Sequence, residues 1–122
     1  MSTLIELKNA LVNIDHVKIF HESPDQFIYN APHVFTLKNA GSSEHLGELR
    51  FQRGPLRETG INGISDEVLI AIVIDRLEHF QKGEFVNNDS YIAIERLTEA
   101  LLWLKKRTLD RTLRGVEGFS KK

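Results

Sequence analysis

Ser65-Asp66-Glu67-Val68-Leu69-Ile70-Ala71-Ile72-Val73-Ile74-Asp75-Arg76-Leu77-Glu78-His79-Phe80 decides the architecture of this chain. A serine followed by two acids marks a helix start. Its hydroxyl accepts an orphan backbone N–H, and the carboxylates favour the positive end of the helix dipole. The spacing predicts a helix to about Gln81, with Gly83 as a C-terminal stop. Val68 to Ile74 is continuously apolar, and a helix apolar all round is covered on more than one side. In a chain of 122 residues a partner subunit is the expected cover. A few residues later Asn88 or Asp89 is placed to cap a second helix, whose seam is the heptad-like stripe Ile94, Leu97, Leu101, Leu104. The short connection makes the two helices antiparallel neighbours.

Upstream of Ser65, turn residues and short alternating stretches dominate. Val17–Phe20, Phe27–Tyr29, Val34–Leu37 and Glu48–Gln52 read as strands, with Pro24-Asp25 as a turn and Asn39–Ser43 as a hairpin loop. Leu4 to Ile14 stays open. The capping-box spacing of Thr3 and Glu6 favours a short helix, while the apolar spacing also permits a strand. Gly54 to Gly63 is a connector rich in turn residues. The expected fold is α+β: a small N-terminal antiparallel sheet followed by a C-terminal antiparallel two-helix hairpin. Residues 1–122 are expected to form one domain, with the β-rich part and connector over 1–64 and the hairpin over 65–118.

Composition narrows the function. There is no cysteine, which excludes a disulfide scaffold and a cysteine nucleophile. Met1–Glu6 lacks the basic region and apolar run of a secretory signal, and no apolar run approaches the roughly 20 residues of a membrane span. A soluble cytosolic protein is expected, with no membrane partner. Net charge is −1, which argues against tracking long nucleic acid. The basic residues gather at the end, where from Lys105 onward they outnumber Asp110 and Glu117.

Arg107, Arg111 and Arg114 recur at i, i+4 and i+7, which stacks three guanidiniums along one helix face. Two readings stay open. Basic residues near a helix C-terminus complement its dipole, with Asp110 pairing Arg107 or Arg114. The same planar donors also match phosphate geometry. Phe80, Phe85 and Tyr91 flank the hairpin tip, either as packing or as stacking partners for a base. Within one hairpin Phe80 lies at the end opposite Arg111 and Arg114, so a site using both ends needs a second chain or an overhanging second helix.

A catalytic set is not legible. His16, His21, His33, His45 and His79 have no metal-site spacing, and His79 is expected to pair locally with Asp75. Ser42-Ser43 near His45 lacks a nucleophile elbow. Glu95 and Glu99 read as surface carboxylates, and there is no P-loop or dinucleotide fingerprint.

One further pattern emerges from Phe51-Gln52-Arg53-Gly54-Pro55, Glu58, Gly60, Asn62-Gly63, Leu69–Leu77, Phe80-Gln81-Lys82-Gly83, Arg107-Thr108, Asp110-Arg111 and Arg114–Gly118. This series is similar to the phage anti-Thoeris sponge family, Thoeris anti-defence protein one, whose helical hairpin is shared with the anti-CBASS sponges. The similarity covers about half the chain, from Phe51 to Gly118. It implies a non-enzymatic phage protein in the cytoplasm of the infected bacterial host. Such a protein needs no cofactor. It binds and sequesters cyclic ADP-ribose isomers, and some members also hold cyclic di- or trinucleotides. The resemblance also implies a homo-oligomer, dimer-based and up to a hexamer, with pockets at subunit contacts.

Carried over residue by residue, the resemblance makes Phe80 a stacking partner for adenine and Arg107 a contact to base or diphosphate. Arg111 and Arg114 contact phosphate or hold the oligomer. Arg57, in a connector with Gly54 and Asn62, marks a second, cyclic-oligonucleotide pocket. Relatives usually show Glu-Asn-Ala before the second helix, where this chain has Asp89-Ser90-Tyr91. Ser90 replaces only one hydrogen bond of that amide, with Asn87 or Asn88 as compensating groups. The alternatives are an enzyme that degrades the signal, using His79 or Glu58, and a phage nucleic-acid-binding or structural adaptor.

Overall fold

Strand pairing in the first half begins from one central strand, Val34–Asn39, whose residues are all half-buried. In the computed structural model, which describes residues 4–9 and 16–115, this strand is β3. It pairs antiparallel with β2 (Val17–His21) on one side and β4 (His45–Arg50) on the other. A two-residue strand, β1 (Ile5–Glu6), adds at the β2 edge, giving the order β1-β2-β3-β4. The chain divides into two units, Met1–Gly63 and Ile64–Lys122.

In the first unit, register places Ile19 opposite Leu37, His21 opposite Phe35, and Phe35 opposite Leu49. These residues share one face of the sheet by the two-residue period. Rings run along that face from Phe27 to His21, Phe35 and Phe51, with centroids 5.7, 5.9 and 5.7 Å apart. His21 is therefore an aromatic member of a packed row. The opposite face carries charge: Lys38 lies over the Phe20 ring at 5.3 Å, and Arg50 meets Glu48 at 3.2 Å.

Three local expectations change. The helix favoured by Thr3 and Glu6 gives way to β1, because Ile5 and Glu6 pair with His21 and Phe20, and the Leu7 N–H donates to Ile19 C=O at 2.8 Å. Pairing with the free β2 edge gives the inward-facing backbone groups of the strand lasting partners, which outweighs a local cap. Thr3 and residues 10–15 lie outside the described residues. Phe27–Tyr29 is no strand. Pro24–Gln26 forms one turn of 3-10 helix, and Tyr29 and Asn30 take φ of 58° and 65° between the bridged residues Ile28 and Ala31. Two successive left-handed residues reverse the chain at once, as in the tight turns of hairpins. Leu56–Thr59, inside the connector, forms a one-turn helix, α1.

Asn39–Ser43 closes the β3–β4 hairpin as expected. The Asn39 Oδ1 accepts the N–H groups of Gly41 and Ser42 at 2.8 and 3.0 Å. That side chain stands in for a backbone turn. The 22–33 excursion between β2 and β3 is held by Glu22, whose carboxylate accepts the N–H of His33 at 3.2 Å and of Val34 at 3.1 Å.

In the second unit, α2 (Asp66–Phe80) begins as read: the Ser65 hydroxyl accepts the Val68 N–H at 3.2 Å. The second helix, α3 (Asn88–Leu113), is capped by Asn87 rather than Asn88 or Asp89. The Asn87 Oδ1 accepts the Ser90 N–H at 2.8 Å. The reason lies in the tip. The Gln81 amide donates to Asn87 C=O at 2.8 Å and accepts the Asn87 N–H at 3.0 Å, fixing where α3 must start. Gly83 has no left-handed φ, so this amide clasp, not a glycine, turns the chain.

The seam is sharp on both helices. On α3 the half-buried residues include Ser90, Ile94, Leu97, Leu101, Leu104, Thr108 and Arg111, in alternating steps of four and three, with Ala93 beside Ile94. On α2 Glu67, Leu69, Ile70 and Leu77 are half-buried and Ile74, at 9% exposure, is the most enclosed. Val68, Ile72 and Val73 remain exposed. With 26 residues against 15, α3 is longer than α2 by about 16 Å, so its last turns run beyond the start of α2.

Two outcomes test this packing. Replacing Ile74 by Ala should lower the unfolding free energy by about 2–4 kcal/mol in urea titration, since the cavity opens in the seam. Partial burial pushes the Glu22 carboxyl up. The backbone N–H groups of Glu22, Val34 and His33, with the nearby imidazole of His33, outweigh it and hold the group below its ordinary value. A lowered carboxylate stabilises the fold above its unfolded pKa, and that contribution disappears as pH falls through the folded value. Glu22→Ala should cost about 1–2 kcal/mol near neutrality and flatten the acid limb of the stability profile.

Candidate functional site

The last three turns of α3 carry the charge. Trp103, Lys106, Arg107, Asp110, Arg111, Leu113 and Arg114 line one shallow open recess. The structure thus brings Arg107, Arg111 and Arg114 together, as their spacing dictates. Asp110 does not pair with either arginine named for it. Its carboxylate takes the Lys106 ammonium at 2.9 Å, one helical turn back. Among the described residues, Arg107 and Arg114 have no ion-pair partner. Arg111 is half-buried and lies on the seam side of the helix.

The helix is well terminated at this end. The Arg114 N–H donates to Asp110 C=O at 3.1 Å, and Gly115 takes φ of 74°. A left-handed glycine closes the last turn at little steric cost. The hydroxyls of Thr108 and Thr112 donate back to Leu104 and Thr108 C=O at 3.3 and 3.0 Å. The open donors of the recess are therefore the guanidiniums of Arg107 and Arg114. Residues 116–118, part of the motif that suggested the family, lie outside the described residues.

Phe80 sits at the other end of the hairpin. Its ring is 41% exposed, with the Arg76 guanidinium 4.9 Å from its centroid and Phe85 edge-on at 6.4 Å. Asn88, in the first turn of α3, is exposed, while Ser90 is half-buried on the seam. Nineteen residues of helix separate Asn88 from Arg107, about 28 Å of axial rise. The two groups of candidate residues do not meet within one chain.

The connector is a tightly bonded loop. The Gln52 amide donates to Gly54 and Gly60 C=O at 3.0 and 2.8 Å and accepts the Asn62 N–H at 3.1 Å. The Asn62 amide spans Arg53 from both sides, accepting its N–H at 2.7 Å and donating to its C=O at 2.8 Å. Gly54 has φ of 90°, and a Cβ there would come 2.7 Å from the Thr59 methyl. Gly54 and Asn62 shape the loop that carries Arg57, which lies exposed on α1.

His79 bonds Asp75 as its spacing predicts, through Nδ1 to the backbone C=O at 2.8 Å and to the carboxylate at 3.5 Å. Among the described residues no three His, Cys, Asp or Glu side chains gather as a metal-ligand group, and no helix is long and apolar enough to cross a membrane. Trp103 escaped the sequence reading, although its place four residues before Arg107 puts it on the arginine face. Lys106 as the partner of Asp110 was equally readable from i, i+4 spacing.

Fold and site together define a small α+β protein built on a helical hairpin with a basic end. The chain belongs to the Acb2/Tad1 family: the model of the Acb2/Tad1 hairpin domain matches residues 46–109, from β4 through the connector into α3. It is also 40% identical to "Thoeris anti-defense 1" of Bacillus phage SBSphiJ7, over an alignment covering 96% of this chain and 99% of that protein.

Proposed function

We propose that this chain is a phage anti-defence protein that binds cyclic ADP-ribose-type immune signals in the cytoplasm of the infected bacterium and withholds them uncleaved. The observation that carries this reading is the recess at the end of α3, where Arg107 and Arg114 lack ion-pair partners among the described residues. The similarity to a phage protein named for Thoeris anti-defence supplies the biological setting. Guanidiniums held on one helix face meet a diphosphate with forked donors, and an exposed phenyl face takes the base. Arg76 already lies over the Phe80 ring, so the base stacks on the surface that remains.

About 28 Å of axial rise separates Asn88, at the Phe80 end of the hairpin, from Arg107, which supports a pocket whose two halves come from different chains. The exposed apolar residues Val68, Ile72 and Val73 on α2 are the surface a second copy covers. Ile72→Asp should therefore lower the solution mass toward that of one chain in light scattering, while helical content stays.

Sequestration and degradation part on one measurement. After incubation with a cyclic ADP-ribose isomer and heat denaturation, the nucleotide should be recovered intact. A cleaved product would move the protein to the enzyme class, with Glu58 or His79 as acid–base groups. Phe80→Ala and Arg107→Ala should each weaken binding at least tenfold by calorimetry without changing solution mass. Unchanged affinity in both would place the pocket elsewhere. Tight, steeply salt-dependent binding to an oligonucleotide instead of the cyclic signal would favour the adaptor reading. For cyclic di- or trinucleotides the candidate contact is Arg57 on its bonded loop, and Arg57→Ala should weaken those ligands while sparing cyclic ADP-ribose.

A further inference from the structure

Trp103 is the chain's single tryptophan, and neither the packing nor the ligand contacts above use it. It is 64% exposed, a large apolar surface left in water. The last turns of α3 have three distinct faces. Leu101, Leu104, Thr108 and Arg111 form the half-buried seam. Leu102, Leu109 and Leu113, at i, i+7 and i+11, form an exposed apolar stripe, 57 to 77% accessible. Trp103, Arg107, Asp110 and Arg114, at i, i+4, i+7 and i+11, form the third. At 3.6 residues per turn the three stripes lie roughly 120° apart.

Of the apolar stripe only Leu113 also lines the recess, so the indole is set apart from Leu102 and Leu109. It lies instead among guanidiniums. Lys106 takes the charge of Asp110, which leaves a flat π surface beside two cations with no ion-pair partner among the described residues. That combination fits a base joined to phosphates.

We propose that Trp103 is a ligand-binding residue: its indole stacks on the base of a nucleotide whose diphosphate is held by Arg107 and Arg114. The proposal rests on the sequestration reading and deepens it. The end of one α3 supplies both base and phosphate recognition, and Phe80 of a second copy closes the opposite face of the base.

Because Trp103 is the sole indole, its emission reports on this site alone. The experiment titrates the full chain with cyclic ADP-ribose isomers and follows heat and tryptophan emission together. The isomer that binds by calorimetry should quench the emission with the same midpoint. Inorganic pyrophosphate, which has no base, should leave it unchanged. Trp103→Ala should lose roughly 5- to 150-fold in affinity at unchanged solution mass, the range of one stacked base. Trp103→Phe should recover most of that loss. Binding heat without quenching, or equal quenching by pyrophosphate, would overturn the role of Trp103 and leave the sponge reading standing. A Trp103→Ala variant that falls apart into single chains would make the indole a subunit contact, again against the proposal. No heat with any isomer would remove both.

Discussion

The α2–α3 seam is the constraint on which the hairpin depends. Ile74 is its most enclosed residue, and the residues around it are only half covered. A seam this narrow sets α2 and α3 in register, and the Gln81–Asn87 amide clasp fixes the register at one end. Everything at the other end follows by length. A helix of 26 residues against one of 15 leaves the final turns without α2 beside them, and those turns carry the arginines. Had α2 continued for three more turns, it would lie along the seam side of these turns, over Thr108 and Arg111.

Charge is distributed to match. The four-residue spacing that joins Lys106 to Asp110 neutralises the acid within the recess. Exposed pairs of this kind contribute little to stability. Their effect here is local: the carboxylate of the recess is engaged by a cation one turn away, while Arg107 and Arg114 have no ion-pair partner among the described residues. The connector shows the complementary economy. Gln52 and Asn62 satisfy five backbone groups between them, so an irregular loop keeps one path without a regular element to hold it.

Most of the second unit was legible because helices advertise themselves locally. Ser65, the apolar periodicity and the Arg107–Arg111–Arg114 spacing each depend on neighbours within a turn or two. The start of α3 was less so. Asn87, Asn88 and Asp89 are all competent caps, and only the reach of the Gln81 side chain across the tip selects the first. The N-terminal half was harder for a different reason. Whether Ile5 joins a strand is decided by an edge formed sixteen residues later at His21, and whether Tyr29 extends or reverses is decided by the closure of the Glu22 pin. In the site, the cations were legible from sequence, and the aromatic surface beside them was not. Tryptophan on an amphipathic helix usually packs, and only its exposure here sets it apart.

If, as proposed, ring and cations come from different chains, the placement of Phe80 and Arg107 at opposite ends of the hairpin also has a genetic consequence. When each pocket draws its ring from one chain and its cations from another, a chain lacking the ring still carries good cations, and a chain lacking the cations still carries a good ring. Two inactive alleles expressed together then rebuild a fraction of working pockets by intragenic complementation, while either allele alone yields none. A phage carrying one defective copy could be rescued by a co-infecting phage with a different defect, which ties the reach of a single helix to the population behaviour of the virus.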